Sequence, residues 1–278
     1  MRQALIRAVT AAILIAAIVV FAFPLYYLVV TSLKTKAELF AAVPTLIPQA
    51  PTLQPYQSVL FDRGMTTMLL NSIIAGVSAT VLAIVVAFAI CYPITRLPVS
   101  RGVRSFVLNW SLSLRFLPPI AVVIPYFALI RALGLYNQLP ALILVYTIFN
   151  LPLSIWMLKG FLEEIPLEIE EAALTDGATR WQAFRAVLLP LSRPGILAAA
   201  IIVFAFDWAE FLFAFILTAT PQAMTFPVGV QGLVTQFEII WNDMAAGGVI
   251  AILLPLALML VARRHVMSGL TFGVIREK

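Results

Sequence analysis

The stretch LNSIIAGVSATVLAIVVAFAICY, residues Leu70–Tyr92, carries no charged side chain. The hydrocarbon core of a bilayer is about 30 Å thick, so a spanning helix needs about 20 mostly apolar residues. This stretch is long enough and apolar enough to meet that requirement. It predicts a transmembrane helix.

Five more segments meet the same requirement, and together the six predict an all-α integral membrane protein in which residues 1–278 form one transmembrane domain. The first resembles a signal peptide, because Arg2 and Arg7 precede it. It is long, however, and no small-residue cleavage site follows it, so we interpret it as an uncleaved span. Outward from Leu70–Tyr92, the other predicted spans are Ala11–Val30, Ser105–Ile130, Leu139–Leu158, Pro194–Leu217 and Met244–Ala262.

The composition excludes a soluble protein. Hydrophobic residues make up 62% of the chain and charged residues 11%, whereas soluble domains carry about 25% charged residues. The single Cys91 excludes a disulfide framework, and with the single His265 it leaves no cysteine-based or multi-histidine metal site. We therefore expect no metal in this chain.

The distribution of basic residues predicts the orientation. Thirteen of the 18 Lys and Arg residues lie on one set of flanks, including Arg276 and Lys278 at the C-terminus. Cytoplasmic flanks are enriched in Lys and Arg, so both termini are expected in the cytoplasm. This topology accounts for the net charge of +5, and nucleic-acid binding is not expected. The opposite flanks hold only Lys34, Lys36, Arg63 and Arg131.

Two long hydrophilic connections separate the predicted spans. Residues 32–67 face outward and contain four prolines, so an irregular or partly helical cap is expected. Residues 163–193, which we call the connector, read EEIPLEIEEAALTDGATRWQAFRAVLLPLSR and face the cytoplasm.

Local signals in the connector predict two short helices. Pro166 suits the start of an acidic helix, and Gly177 can supply the left-handed residue that ends it. Thr179 and Gln182 have the spacing of a capping box for a second helix. An apolar stripe of Trp181, Phe184 and Leu188 follows, and Pro190 is expected to stop that helix. A solvated loop with an interfacial helix is the alternative, but two capped helices favour docking on another protein.

The connector also carries a family signature. Glu171-Ala172-Ala173, three residues, Gly177, nine residues and then Val187-Leu188-Leu189-Pro190 resemble the EAA motif of bacterial ABC-importer permeases, with Val187 in place of Ile. Further resemblance, to the carbohydrate-uptake branch and its maltose-type second permease, lies in Asn71-Ser72, Asp176-Gly177-Ala178-Thr179 and Gly269-Leu270-Thr271.

The resemblance implies a permease that works in a complex. Its expected partners are a homologous second permease, two ATPase subunits, an extracytoplasmic solute-binding protein and the lipid bilayer. ATP and Mg²⁺ would be bound by the ATPase, because this chain has no phosphate-binding G-x-x-x-x-G-K-[ST] loop. We therefore expect no enzyme activity and no cofactor in the chain itself. The residues that would couple to the ATPase are Glu171, Ala172, Ala173, Asp176, Gly177, Phe184, Leu189 and Pro190.

Charges inside the spans are the candidates for the solute path, since ionisable groups at membrane depth usually line a cavity or pair. Arg115 precedes Pro118 and Pro119, which are expected to break the third span. Asp207 and Glu210 have the i,i+3 spacing of one helix face. These charges either line the path or form an internal ion pair that fixes helix packing. Trp208 either stacks on a sugar ring or packs against other spans. The candidates are Arg115, Asp207, Trp208 and Glu210.

The sequence leaves other functions open. An ion-coupled secondary transporter would use Asp207 and Glu210 as coupling carboxylates, but we see no clear internal repeat of the kind such carriers show. An ABC permease for a peptide or an anion is a second alternative. A membrane enzyme is a third, although one His and one Cys offer little for catalysis.

Overall fold

The structure, a computed structural model, describes residues 2–235 and 239–271, apart from the side chains of residues 2, 4, 5, 8 and 261–271. Arg276 and Lys278, which contribute to the predicted orientation, lie outside the described residues. In chain order the α-helices are α1 (Arg2–Ser32), α2 (Lys36–Leu39), α3 (Gln54–Gln57), α4 (Met65–Arg96), α5 (Arg101–Arg115), α6 (Pro119–Ala132), α7 (Leu139–Glu164), α8 (Leu167–Thr175), α9 (Arg180–Ala183), α10 (Leu189–Trp208), α11 (Leu212–Leu217), α12 (Phe226–Gln231) and α13 (Trp241–Thr271).

Among residues 2–235 and 239–271, five helical runs are long and apolar enough to cross a membrane, and a bent pair, α5 with α6, makes six if it counts as one span. Four of the predicted spans therefore lie within single helices, α1, α4, α7 and α13, each of which begins at or before the predicted start. The all-α prediction is confirmed. The described residues divide into two compact units, residues 2–66 with 229–235 and 239–253, and residues 67–228 with 254–271.

The third predicted span, Ser105–Ile130, is wrong as a single helix. α5 ends at Arg115, α6 begins at Pro119, and the two are bent by 101°. Pro118 and Pro119 cause the break, as expected, because proline has no N–H to donate and disfavours helical backbone at the preceding residue. Since α5 is only about 22 Å long at 1.5 Å per residue, it is too short to span by itself.

The fifth predicted span, Pro194–Leu217, is also interrupted. α10 ends at Trp208, and a short helix, α11, starts only at Leu212. At its other end α10 continues directly from α9 through a π-helical turn, Phe184–Leu188, so the helical run is Arg180–Trp208. The prediction that Pro190 stops the second connector helix is therefore wrong. The wider turn places Pro190 within the first turn of α10, where a missing N–H costs little.

The first unit contains the expected cap. Residues 32–67 form α2, α3 and a π-helical turn, Ser58–Asp62, joined by irregular chain, so a partly helical cap is confirmed. Thr45 fastens it, because its hydroxyl donates to the Glu38 carboxylate at 2.6 Å and its carbonyl accepts from the buried Lys34 ammonium. The Thr45 hydrogen bond lowers the pKa of Glu38.

In the second unit α7 packs against α10 and α5, and α4 approaches α10 closely. Gly76 on α4 lies against the Phe204 ring of α10, where an added Cβ would be 3.1 Å from a ring carbon. Ala75 and Ala79 are fully buried beside it. Small residues permit such close helix approach in membranes. Asn71 at the start of α4 donates to the carbonyls of Pro221 and Met224 at 3.1 and 2.9 Å.

Candidate functional site

The first half of the connector is an acidic helix, α8, that ends in a hydrogen-bonded glycine turn. α8 follows Pro166 and ends in a Schellman motif, in which Ala178 N–H donates to the Ala173 carbonyl at 3.0 Å and Gly177 N–H to that of Leu174 at 3.1 Å. Gly177 has φ +90°, a backbone conformation that residues with a Cβ rarely adopt. The predicted glycine turn is confirmed.

The second half starts with the predicted capping box. The Thr179 hydroxyl accepts from Gln182 N–H at 3.3 Å, and the Gln182 side chain accepts from Thr179 N–H at 2.7 Å. Because α9 runs on into α10, any displacement of this end of the connector moves a membrane-spanning helix directly. A solvated loop would have no such rigid link.

The predicted apolar stripe of Trp181, Phe184 and Leu188 packs mainly on the chain itself, so it offers little apolar surface to a partner. Leu188 is buried, and the Phe184 ring packs edge-on against the Phe88 and Tyr92 rings of α4 at 5.8 and 5.3 Å. Of these three side chains only that of Trp181 is strongly exposed, at 66%, and its ring stacks on the Phe184 ring.

The eight coupling positions implied by the resemblance divide into exposed and partly buried residues. Four face solvent and could meet a partner, and the remaining four are partly buried. The exposed ones are Glu171, Ala172, Asp176 and Gly177, and the partly buried ones are Ala173, Phe184, Leu189 and Pro190.

A buried charge pair that the sequence reasoning missed anchors the connector. Glu170 on α8 accepts a hydrogen bond from the Tyr92 hydroxyl at 3.0 Å, and its second carboxylate oxygen lies 3.9 Å from Arg96 Nε. The Arg96 side chain is only 3% exposed and the Glu170 side chain only 5%. Arg96 also donates to the carbonyls of Leu162 and Ile165 at the end of α7. The pair therefore ties α8 to α4 and α7. The only signal in the sequence was Arg96 itself, a basic residue four positions after the predicted end of the second span.

Inside the spans, Asp207 joins three helices. Its side chain, 3% exposed, accepts from Asn150 Nδ2 of α7 at 2.6 Å and from Thr80 Oγ1 of α4 at 3.0 Å. Sequence reasoning did not identify Asn150 or Thr80, because neither carries a charge. Asp207 therefore holds α10 to α4 and α7 through two buried hydrogen bonds.

Glu210 does not share a helix face with Asp207, so that expectation is wrong. It lies in the break after α10, and its carboxylate accepts from Phe213 and Ala214 N–H at 2.8 and 3.1 Å. It satisfies the free N–H groups that begin α11 and would otherwise be unpaired. This carboxylate explains how the chain restarts a helix at membrane depth.

The predicted ion pair between Arg115 and a carboxylate inside the spans is absent from the described residues. Arg115 is exposed, its guanidinium lies 5.0 Å from the Phe206 ring, and it forms no ion pair with a described carboxylate. Trp208 is buried and stacks on Phe204 at 5.9 Å, which is the packing alternative. A role for these residues along a solute path stays a prediction.

Asp207→Leu is expected to destabilise the protein by about 1–3 kcal/mol, because it leaves buried donors of Thr80 and Asn150 without an acceptor. Arg115→Met is the control and should change stability by less than about 0.5 kcal/mol. Thermal unfolding of the purified variants measures both. Independent sites should give additive losses in the double variant. Recovery of stability when Arg115→Met is added to Asp207→Leu would instead show that the two charges are paired.

Comparison with known proteins agrees with this architecture. Residues 97–268 match the family model described as binding-protein-dependent transport system inner membrane component. A sulfoquinovosyl glycerol transport system permease protein, SmoH of Agrobacterium fabrum, is 35% identical over 91% of this chain and 88% of its own length. The trehalose transport system permease protein SugB of Mycobacterium tuberculosis is 37% identical over 83% of this chain and 84% of its own.

A solved structure shares the fold. It is that of a bacterial ABC transporter involved in the import of the acidic polysaccharide alginate, with a TM-score of 0.77 over 95% of this chain and 97% of that one at 20% identity. Apolar helices, a bent α5–α6 pair and the family match over most of the chain lead to one conclusion. The chain belongs to the family of inner membrane components of binding-protein-dependent transport systems.

Proposed function

We propose that this chain forms part of the translocation path of an ATP-driven importer for a sugar, an oligosaccharide or a sugar alcohol. The observation that carries the proposal is the connector, whose helix run Arg180–Trp208 joins an exposed, capped surface to a membrane-spanning helix without a break. Such a connection suits transmission of movement from a partner. The sugar class is supported by the named cargoes of the relatives SmoH and SugB.

The division of labour is part of the proposal. ATP and Mg²⁺ are bound by two separate ATPase subunits, which contact the exposed residues Glu171, Ala172, Asp176 and Gly177. A homologous second permease completes the path, and an extracytoplasmic binding protein delivers the solute. Both termini and the connector lie in the cytoplasm, as the excess of Lys and Arg on those flanks favours. Residues 1–278 act as a single permease domain.

The test is transport in proteoliposomes that contain the chain with its co-expressed subunits and binding protein. We expect uptake of a labelled sugar that the binding protein binds, and we expect it to need ATP inside and to persist when ion gradients are collapsed. Uptake by this chain alone, driven by an ion gradient, would support the secondary transporter instead. Binding of peptides or anions, but not sugars, by the binding protein would overturn the sugar class.

A further inference from the structure

An apolar groove of about 630 Å³ lies between α4 and the helix run Arg180–Trp208. Ile84, Val85, Phe88 and Ala89 line one side and Phe184 and Ile196 the other. Its walls are almost entirely hydrocarbon, which excludes a carbohydrate or another strongly polar ligand, because burying polar groups without partners is costly.

The groove runs along the direction in which its helices cross the membrane. Its lining extends over about 12 Å of α4, from Ile84 to Tyr92, and over about 22 Å of the other run, from Trp181 to Ile196. One end therefore lies beside the charge-free part of α4. The other end lies near Leu97, just past the end of α4, where the span meets the aqueous interface.

The interfacial end is basic and aromatic. Arg180 is exposed, lines the groove and forms no ion pair with any carboxylate in the described part of the chain. Trp181 beside it is 66% exposed. Tryptophan is enriched at membrane interfaces, and basic pockets between membrane helices bind anionic lipid headgroups. The Arg180 side chain also interacts with the Tyr92 hydroxyl, but it stays exposed to solvent. An apolar channel that ends at an exposed guanidinium is complementary to a lipid that carries a negative headgroup.

We propose that this groove binds an anionic phospholipid, with an acyl chain between α4 and α10 and the headgroup phosphate at Arg180. The acyl chain contacts Phe184, which belongs to the connector. Bilayer composition therefore acts on the segment that joins the connector to the spans. This inference concerns a lipid site and does not depend on which solute is transported.

The test uses quenching of Trp181 fluorescence by dibrominated lipids in nanodiscs that contain the full-length chain. Phosphatidylglycerol and phosphatidylcholine are compared at the same low mole fraction, and Trp181→Phe gives the share of the signal that belongs to Trp181. We expect phosphatidylglycerol to quench that share about fivefold more effectively, the factor for one basic residue near a membrane surface. Arg180→Gln should remove the preference, whereas Arg193→Gln, outside the groove lining, should keep it.

A steric pair of variants tests the acyl chain separately. Ala89→Phe fills the groove and should lower quenching by both lipids, whereas Val81→Phe, exposed on α4 outside the lining, should not. Equal quenching by the two lipids in the unaltered protein would show ordinary bilayer contact and overturn the proposal. So would loss of quenching by both lipids when co-purifying subunits are added to the nanodiscs, because a protein would then cover the groove.

Discussion

Gly177→Val is expected to lower ATPase co-purification, solute-stimulated hydrolysis and uptake together, by about five- to thirtyfold. Gly177 has φ +90°, and an added Cβ would meet no atom within 4 Å. The cost is therefore backbone strain alone, about 1–2 kcal/mol. A cost of that size changes an equilibrium constant, here that of docking, by about five- to thirtyfold. Relief of the strain changes the angle between α8 and α9 and misaligns the exposed surface.

Two variants separate this effect from general destabilisation. Gly134→Val introduces the same kind of strain, since Gly134 has φ +70° and open space around it, but it lies in the turn between α6 and α7. It should lower stability without selective loss of the ATPase. Gly177→Asn should retain coupling, because asparagine tolerates the left-handed conformation. If Gly177→Val retains the ATPase and full stimulated hydrolysis, the connector does not couple the chain to an ATPase.

A Glu171→Lys variant tests the exposed surface itself. Glu171 is exposed on α8, so reversing its charge should leave the fold intact while it weakens docking. The same co-purification and hydrolysis assays apply. Unchanged hydrolysis would place the docking surface elsewhere on the connector.

Removal of either member of the Arg96–Glu170 pair is expected to release the connector from the spans. The remaining charge would be buried without its partner, at a cost of about 3–5 kcal/mol. Each 1.4 kcal/mol changes an equilibrium constant tenfold. The equilibrium population of the locally opened connector should therefore rise at least about a hundredfold. Limited trypsin digestion at Arg180 and Arg185 measures that opening in Arg96→Met and Glu170→Leu.

The double variant gives the decisive comparison. Arg96→Met with Glu170→Leu leaves no unpaired charge, so its opening should be far smaller than the sum of the single effects. Glu168→Gln, on the same helix but exposed, should change the digestion rate little. Additive losses in the double variant would contradict a functional pair.

Local chemistry explains what could be predicted. Charge-free stretches of about 20 residues identify spanning helices because the bilayer sets their length. The Thr179 capping box and the Gly177 turn are also local, since each hydrogen bond joins residues a few positions apart. The sequence alone thus determined the membrane class, four unbroken spans and the helix–turn–helix form of the connector.

The tertiary structure decided which polar groups meet. Glu170 and Glu171 are adjacent acidic residues, yet only Glu170 is buried, because the Arg96 and Tyr92 side chains of α4 reach it. Asp207 bonds to Asn150 and Thr80 instead of Arg115 for the same reason, since α7 and α4 supply donors at 2.6 and 3.0 Å. Pairing within a bundle depends on which helix faces pack together, and residue types along a single helix do not specify that.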